Sequence, residues 1–169
     1  MRTDNLFTAL ILMTFCLLVL YLLMLSISSS WKRKYFPTGA ITTAHAIALG
    51  GQYLAAAALV TATLFPLKDY LYLVSATGHL TLSSGPLWGL LLICALTAGT
   101  GYLIATYLSK ILAGSLFKGK SAAIEFQENN TGYSLVCAVT TIACSMIFVL
   151  PVIVLIQGFI PMPAIPNIR

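Results

Sequence analysis

Long apolar runs separated by short polar stretches dominate the pattern of this chain. Four of these runs contain no charged side chain and are 20 to 24 residues long: 6–27, 46–65, 87–108 and 133–156. A helix of about 20 apolar residues crosses the hydrocarbon core of a bilayer and satisfies its own backbone hydrogen bonds there. The pattern therefore predicts an all-α membrane protein with four transmembrane helices.

A proline marks the predicted end of the second helix. Pro66 is expected to stop it, since proline removes a backbone donor and clashes with the preceding turn. Residues 66–86 are then expected to form a loop outside the membrane. Within this loop the tracts 70–74 and 79–82 flank a turn-forming tetrapeptide, which favours a small β-hairpin on the membrane surface.

The fourth predicted helix has polar residues before it and prolines near its end. Asn129, Asn130 and Thr131 could bind a ligand or lipid headgroup at its positive end, but the residue preferences of helix starts favour capping. Pro151 is expected to kink this helix or to end its regular part. The tail 158–169 carries three further prolines and is expected to be extended.

Composition strengthens the membrane assignment. The 169 residues are 59% hydrophobic and only 8% charged, whereas about a quarter of the residues in a soluble domain are charged. The mean hydropathy is +0.96. The net charge of +5 comes from cations in short connecting stretches, where it sets orientation and does not indicate nucleic-acid binding.

The distribution of lysine and arginine predicts how the helices are inserted. Six cations follow the first and third helices and three lie on the opposite side: Lys32, Arg33, Lys34, Lys110, Lys118 and Lys120 against Arg2, Lys68 and Arg169. Because positively charged loops stay in the cytoplasm, we expect both termini to be extracytoplasmic. The stretch 31–35, in which aromatic residues flank the cations, is expected to be a loop at headgroup level.

The two halves of the chain, 1–65 and 87–157, resemble copies of one two-helix hairpin. An ungapped shift of 86 residues superposes two stripes of small or weakly polar residues at helical spacing. The stripes are Ala48, Gly51, Gln52, Ala55 and Ala58 in the second helix, and Ser134, Cys137, Ala138, Thr141 and Cys144 in the fourth. Chance is the alternative, because small residues are common in membrane helices. We expect a tandem duplication with the same topology in each half.

Close approach along small residues is a main source of helix association in lipid. The two stripes are therefore expected to face each other or to face neighbouring subunits. Gln52 is the strongly polar side chain well inside a predicted helix. It is expected to hydrogen-bond across helices, and lining a polar path is the alternative.

Two helix-entry motifs resemble those of a known family. One is Asn-Asn-Thr-Gly-Tyr-Ser-Leu at 129–135 after Ile124, and the weaker one is Ile-Thr-Thr-Ala-His-Ala-Ile-Ala-Leu-Gly-Gly at 41–51. They are similar to the entry motifs of the YjfL-like family of small bacterial membrane proteins, a domain of unknown function built as a tandem pair of two-helix units. This chain departs from the pattern at Ala44, where the second motif has an asparagine, and in the long stretch 67–86. The resemblance implies a bacterial inner-membrane protein, with no established activity to carry over.

Side chains that could carry chemistry are few. The four cysteines lie in apolar runs without a Cys-x-x-Cys pair or a histidine at ligand spacing, so we expect packing residues and neither metal ligands nor disulfides. His45 could titrate at the membrane interface, although an interfacial histidine beside a helix start is commoner. Glu125 and Glu128, with Lys118 and Lys120, are expected to lie in a solvated loop, and a cytoplasmic docking surface is the alternative. No nucleophile stands at a recognisable spacing from a base, so neither an enzyme nor a cofactor is expected.

The sequence thus predicts a non-enzymatic protein of the bacterial inner membrane. It would act as a structural or accessory subunit of a homo-oligomer or of a larger membrane complex. Its partners would be the lipid bilayer, itself and other membrane-protein subunits, with no nucleic acid. The alternative is an oligomeric channel or small-solute pore, lined by the small polar residues of the second and fourth helices.

Overall fold

The computed structural model describes residues 3–35, 41–76, 85–117 and 121–160, with side chains described for 10–35, 41–72, 87–117 and 121–160. The helices of these ranges are α1 (Thr3–Tyr35), α2 (Thr43–Ala76), α3 (Gly85–Leu116), α4 (Ala122–Gln127) and α5 (Thr131–Gln157). All except the short α4 are long and apolar enough to cross a membrane. The all-α fold with four predicted membrane-spanning helices is confirmed.

The four long helices extend beyond the apolar runs from which they were predicted. The stretch 31–35 is the last part of α1 and not a loop. α2 passes through Pro66 and continues to Ala76, so the predicted stop at this proline is wrong. Proline removes one helical hydrogen bond, but membrane helices tolerate it where neighbouring groups satisfy the freed carbonyl. Pro66 is fully buried among the packed helices, which favours continuation of the helix.

Helical geometry also replaces part of the predicted hairpin. The tract 70–74 belongs to the last turns of α2, and its first two residues, Tyr70 and Leu71, are buried in the main apolar core. The tract 79–82 lies outside the described residues, as does 161–169 of the tail. α5 passes through Pro151, and backbone hydrogen bonds continue its turns as far as Ile160. The described start of the tail is therefore turn and not extended chain.

α2 lies at the centre of the bundle. It packs most extensively against α5 and also contacts α1 and α3, while α3 packs against α5 as well. α1 is peripheral, because only 6% of its most apolar stretch is buried, against 50% for α2. α1 and α3 contact each other very little. This unequal packing positions the candidate site.

The two ends of the bundle differ in character. The end of α1 carries Lys32, Arg33 and Lys34 and lies beside α4 and the starts of α2 and α5; we call it the cationic end. Toward the opposite end, a continuous apolar core is formed by side chains of α2, α3 and α5. This core includes Leu59, Leu67, Leu71, Leu90, Leu91, Val152 and Ile156.

Candidate functional site

The two small-residue stripes meet at the interface between α2 and α5, which we call the seam. A Cβ atom built on Gly51 would lie only 2.5 Å from Ala138 Cβ and 2.6 Å from Ala138 Cα, so the two backbones are as close as they can be. The other stripe residues are buried or half-buried: Ala48, Gln52, Ala55, Ala58, Ser134, Cys137, Thr141 and Cys144. The structure brings the stripes together within one chain. The buried members of the stripes are therefore not available to neighbouring subunits.

Contacts across the seam join nearly equivalent positions of the two halves. The Ala44 N–H donates to Asn129 Oδ1, and Gln52 Nε2 donates to Thr141 Oγ1; these pairs are 85 and 89 residues apart in sequence. Both separations are close to the 86-residue shift that superposes the stripes. α2 and α5 thus run parallel and nearly in register. A tandem duplication would produce this arrangement, and it stays a prediction.

The predicted helix-entry asparagines hold two helix starts. Asn130 Oδ1 accepts the Tyr133 N–H at 3.0 Å and caps α5. Asn129 reaches across the seam, where its Oδ1 accepts the Ala44 N–H at 2.9 Å in the first turn of α2. Its φ of 55° lies in the left-handed region, which asparagine tolerates better than most residues. Thr131 is the exposed first residue of α5 and has no such role among the described contacts.

His45 and Glu125 are buried beside these caps. His45 Nδ1 lies 2.6 Å from Thr42 Oγ1, and the imidazole stacks on Phe126 with 5.3 Å between ring centroids. Glu125 accepts a hydrogen bond from Asn130 Nδ2, which orients this capping side chain. The prediction of a solvated loop is therefore wrong for Glu125, because α4 turns its carboxylate inward.

A network of polar side chains from three helices lies below the caps. The Tyr102 hydroxyl donates to Gln52 Oε1, and Gln52 Nε2 donates to Thr141 Oγ1 at 3.2 Å. Ser109 Oγ lies 2.7 Å from Thr141 Oγ1 and 2.9 Å from Thr140 Oγ1. Gln52 is about 14 Å along the helix axis from the start of α2, given a rise of about 1.5 Å per residue. The network therefore lies well inside the candidate membrane span of α2, Thr43–Tyr72.

Sequence reasoning singled out Gln52 and Thr141 but missed Tyr102 and Ser109. The missed residues lie on α3, whereas the comparison of stripes considered only the second and fourth predicted helices. A signal was present, because Tyr102, Thr106 and Ser109 recur at a spacing of four and three residues and so share one helix face. The hydroxyl-bearing face of α3 was the sequence feature that could have completed the site.

Two cavities adjoin the network at the cationic end. One, of about 250 Å³, lies where α3, α4 and α5 meet, and the other, of about 170 Å³, lies between α1 and α3. Gln52, Trp31 and Lys110 line both cavities. Phe126 and Tyr133 line the larger one, where their rings contact each other edge to face. We call the two cavities together the Gln52 pocket.

The Gln52 pocket offers amide, hydroxyl and ammonium groups between aromatic walls. These groups donate hydrogen bonds to polar or anionic ligands. In the described ranges, no group of three or more histidine, cysteine or acidic side chains is placed to hold a metal ion. The four cysteines are free thiols, and of these only Cys137 lines the pocket. The arrangement is suited to noncovalent binding of a small molecule.

Comparisons with protein-family models, with curated proteins and with solved structures find no match to this chain. The resemblance to the YjfL-like family therefore depends on the two entry motifs alone and stays a prediction. What the fold defines is the class: a helical protein with four candidate membrane spans, consistent with a multi-pass membrane protein.

Proposed function

We propose that this protein is a non-enzymatic membrane protein that binds a small ligand in the Gln52 pocket and serves as an accessory subunit of a membrane assembly. The observation that carries the proposal is the convergence of two cavities on one hydrogen-bonded glutamine. Ligand pockets combine apolar and aromatic walls with a few placed polar groups, and spaces between bundle helices are common locations for them. The cationic end of this bundle has these properties.

The pore alternative has less support. Gln52 and Thr141 face the interior of a single bundle, in the seam and the network, and not a channel shared between subunits. Beside the network, Leu59 and Val152 line Gly101, and a Cβ atom there would make ordinary van der Waals contacts, at 3.5 Å to Val152 and 3.7 Å to Leu59. The apolar core continues from there toward the opposite end. A site that is open at one end and packed at the other favours binding over conduction.

Subunit assembly has to use other faces than the stripes. The stripes are buried in the seam, so an interaction with itself or with another membrane protein would involve the outer faces of the bundle. Native mass spectrometry after gentle detergent extraction measures both the copy number and any copurified subunit. A strictly monomeric chain without partners would contradict the accessory-subunit part of the proposal.

Filling the pocket tests the binding role. Gly114 lines the larger cavity, and a Cβ atom there would meet nothing within 4 Å, so Gly114→Leu places a side chain into open space. Gly50→Leu is the matched control, because Gly50 has equally open surroundings and lines neither cavity. We expect native mass spectra of the wild type and the control to show a retained small molecule that Gly114→Leu has lost.

Two outcomes would contradict this function. One is a molecule that Gly114→Leu retains as well as the wild type does. The other is a flux of ions or small solutes through wild-type proteoliposomes that Gln52→Leu abolishes, which would favour the pore. We expect wild-type proteoliposomes to remain tight, because apolar side chains fill the core beyond the network.

A further inference from the structure

The charges around the smaller cavity indicate the chemical class of the ligand. Lys34, from the last turn of α1, and Lys110, from α3, line the same space of about 170 Å³. Among the described residues, no aspartate or glutamate lines either cavity. Two ammonium groups from different helices therefore share one cavity, and its lining in the described part of the chain holds no acidic side chain.

An anion would compensate this arrangement. Two like charges repel each other most strongly where protein and lipid lower the effective dielectric constant. The hydroxyl-bearing side chains of Ser26 and Ser30 line the same cavity and add hydrogen-bonding groups beside the lysines. A phosphate group accepts charge-assisted hydrogen bonds from several such donors at once. Basic pockets between membrane helices bind anionic headgroups for the same reason.

The size and position of the cavity indicate how much of a ligand it encloses. Its volume of about 170 Å³ equals roughly five or six water molecules at about 30 Å³ each. This space suits a phosphate group and its ester linkage but not an acyl chain. Leu103 lines the cavity and is nevertheless 66% exposed on the outer surface of α3, so the cavity opens sideways toward lipid.

We infer that the α1–α3 side of the Gln52 pocket binds an anionic phosphate group, carried either by a membrane lipid or by a small soluble phosphate ester. This inference rests on the proposed function, since it names the ligand class of the same pocket. Lys34 and Lys110 bind the phosphate oxygens. Trp31 and Ile27, which also line the cavity, pack against the body of the ligand.

The test compares two double variants of the full-length chain by native mass spectrometry in detergent. The probes are phosphatidylglycerol, phosphatidylcholine with the same acyl chains, and glycerol 3-phosphate. The test variant combines Lys34→Gln with Lys110→Gln. The matched control combines Lys32→Gln with Arg33→Gln, which removes two cations from the same end of the bundle but outside the cavity lining. Both variants lose two positive charges from this end, so any effect of net surface charge or of membrane orientation is the same in both.

We expect the test variant to bind phosphatidylglycerol about tenfold more weakly or worse, and the control to change by less than about twofold. Phosphatidylcholine is expected to bind weakly to the wild type, because the two lysines repel its choline cation. Stronger binding of phosphatidylglycerol than of glycerol 3-phosphate supports a lipid source. Equal binding of the two supports a soluble phosphate ester.

Equal losses in both double variants would overturn the phosphate site, as would binding of phosphatidylglycerol that the test variant retains at the wild-type level. This failure is distinguishable from failure of the proposed function. Gly114→Leu could abolish binding of a retained molecule while the two lysine substitutions leave that binding unchanged. The pocket would then be a binding site, and its assignment to phosphate would be wrong.

Discussion

At the seam, glycine and alanine bring α2 and α5 into backbone contact, whereas between α1 and α3 the same bundle leaves an open cavity lined by lysine and tryptophan. Lipid gives helices no hydrophobic reason to associate, so van der Waals contact and hydrogen bonds have to hold them together. The seam has both kinds of interaction, since the van der Waals contact at Gly51 and the Gln52–Thr141 hydrogen bond lie side by side. The comparison teaches that one tightly packed pair of helices can support a fold whose other helices remain far enough apart to admit a ligand.

The largest expected effect is that of a methyl group in the seam. Gly51→Ala places a Cβ atom 2.5 Å from Ala138 Cβ and 3.2 Å from its carbonyl carbon, so α2 and α5 have to separate. We expect the free energy of unfolding in detergent to fall by about 1–3 kcal/mol, the usual cost of overpacking. Gly50→Ala is the control, because a Cβ at Gly50 meets nothing within 4 Å. Equal stability of the two variants would mean that the seam is not tightly packed.

An intermediate effect is expected at the cap that crosses the seam. Asn129→Gly removes the hydrogen bond to the Ala44 N–H but keeps the left-handed backbone accessible, and we expect it to cost about 0.5–1.5 kcal/mol of unfolding free energy. Asn129→Ala loses the same bond and also strains the backbone at φ 55°, adding about 1–2 kcal/mol. Chemical unfolding in micelles measures both, with the exposed neighbour change Glu128→Ala as control. If Asn129→Ala and Asn129→Gly have the same free energy of unfolding, the left-handed backbone at Asn129 does not contribute to the loss.

The smallest effect, and one of opposite sign, is expected in the cavity. Gly114→Ala adds a methyl group where nothing lies within 4 Å and reduces the freedom of the unfolded chain. We expect the free energy of unfolding to rise by about 0.4–1 kcal/mol. The same substitution type thus destabilises the seam and stabilises the cavity wall. A loss of stability similar to that of Gly51→Ala would show that α3 is packed as tightly here as α2 is at the seam.

The length of the apolar runs was enough to predict the four long helices. The helix ends and the long-range contacts could not be predicted from run length. Four uncharged runs identify four membrane helices because a bilayer sets their minimum length. Pro66 misled the prediction, because a local rule about proline ignores the neighbouring helices that bury it. Composition likewise suggested a solvated Glu125, whereas its burial depends on where α4 places it relative to Asn130.

The candidate site was predictable only in part. Helical spacing on two runs was sufficient to select Gln52 and Thr141, which the structure joins by a hydrogen bond. Tyr102 and Ser109 come from a third helix, and which face of α3 turns toward the seam depends on tertiary packing. The smaller cavity is a gap between α1 and α3, and the larger one is a gap where α3, α4 and α5 meet. Such gaps have no sequence pattern of their own.

The hydrogen bond between the Ala44 N–H and Asn129 has a consequence for biosynthesis. The acceptor is translated 85 residues after the donor, so α1 and α2 are synthesised before Asn129 exists. Until then the opening turn of α2 depends on water or headgroups at the interface. The connection between α4 and α5 therefore completes the opening turn of α2, and we expect a nascent chain that stops before Asn129 to carry a frayed, protease-sensitive start of α2.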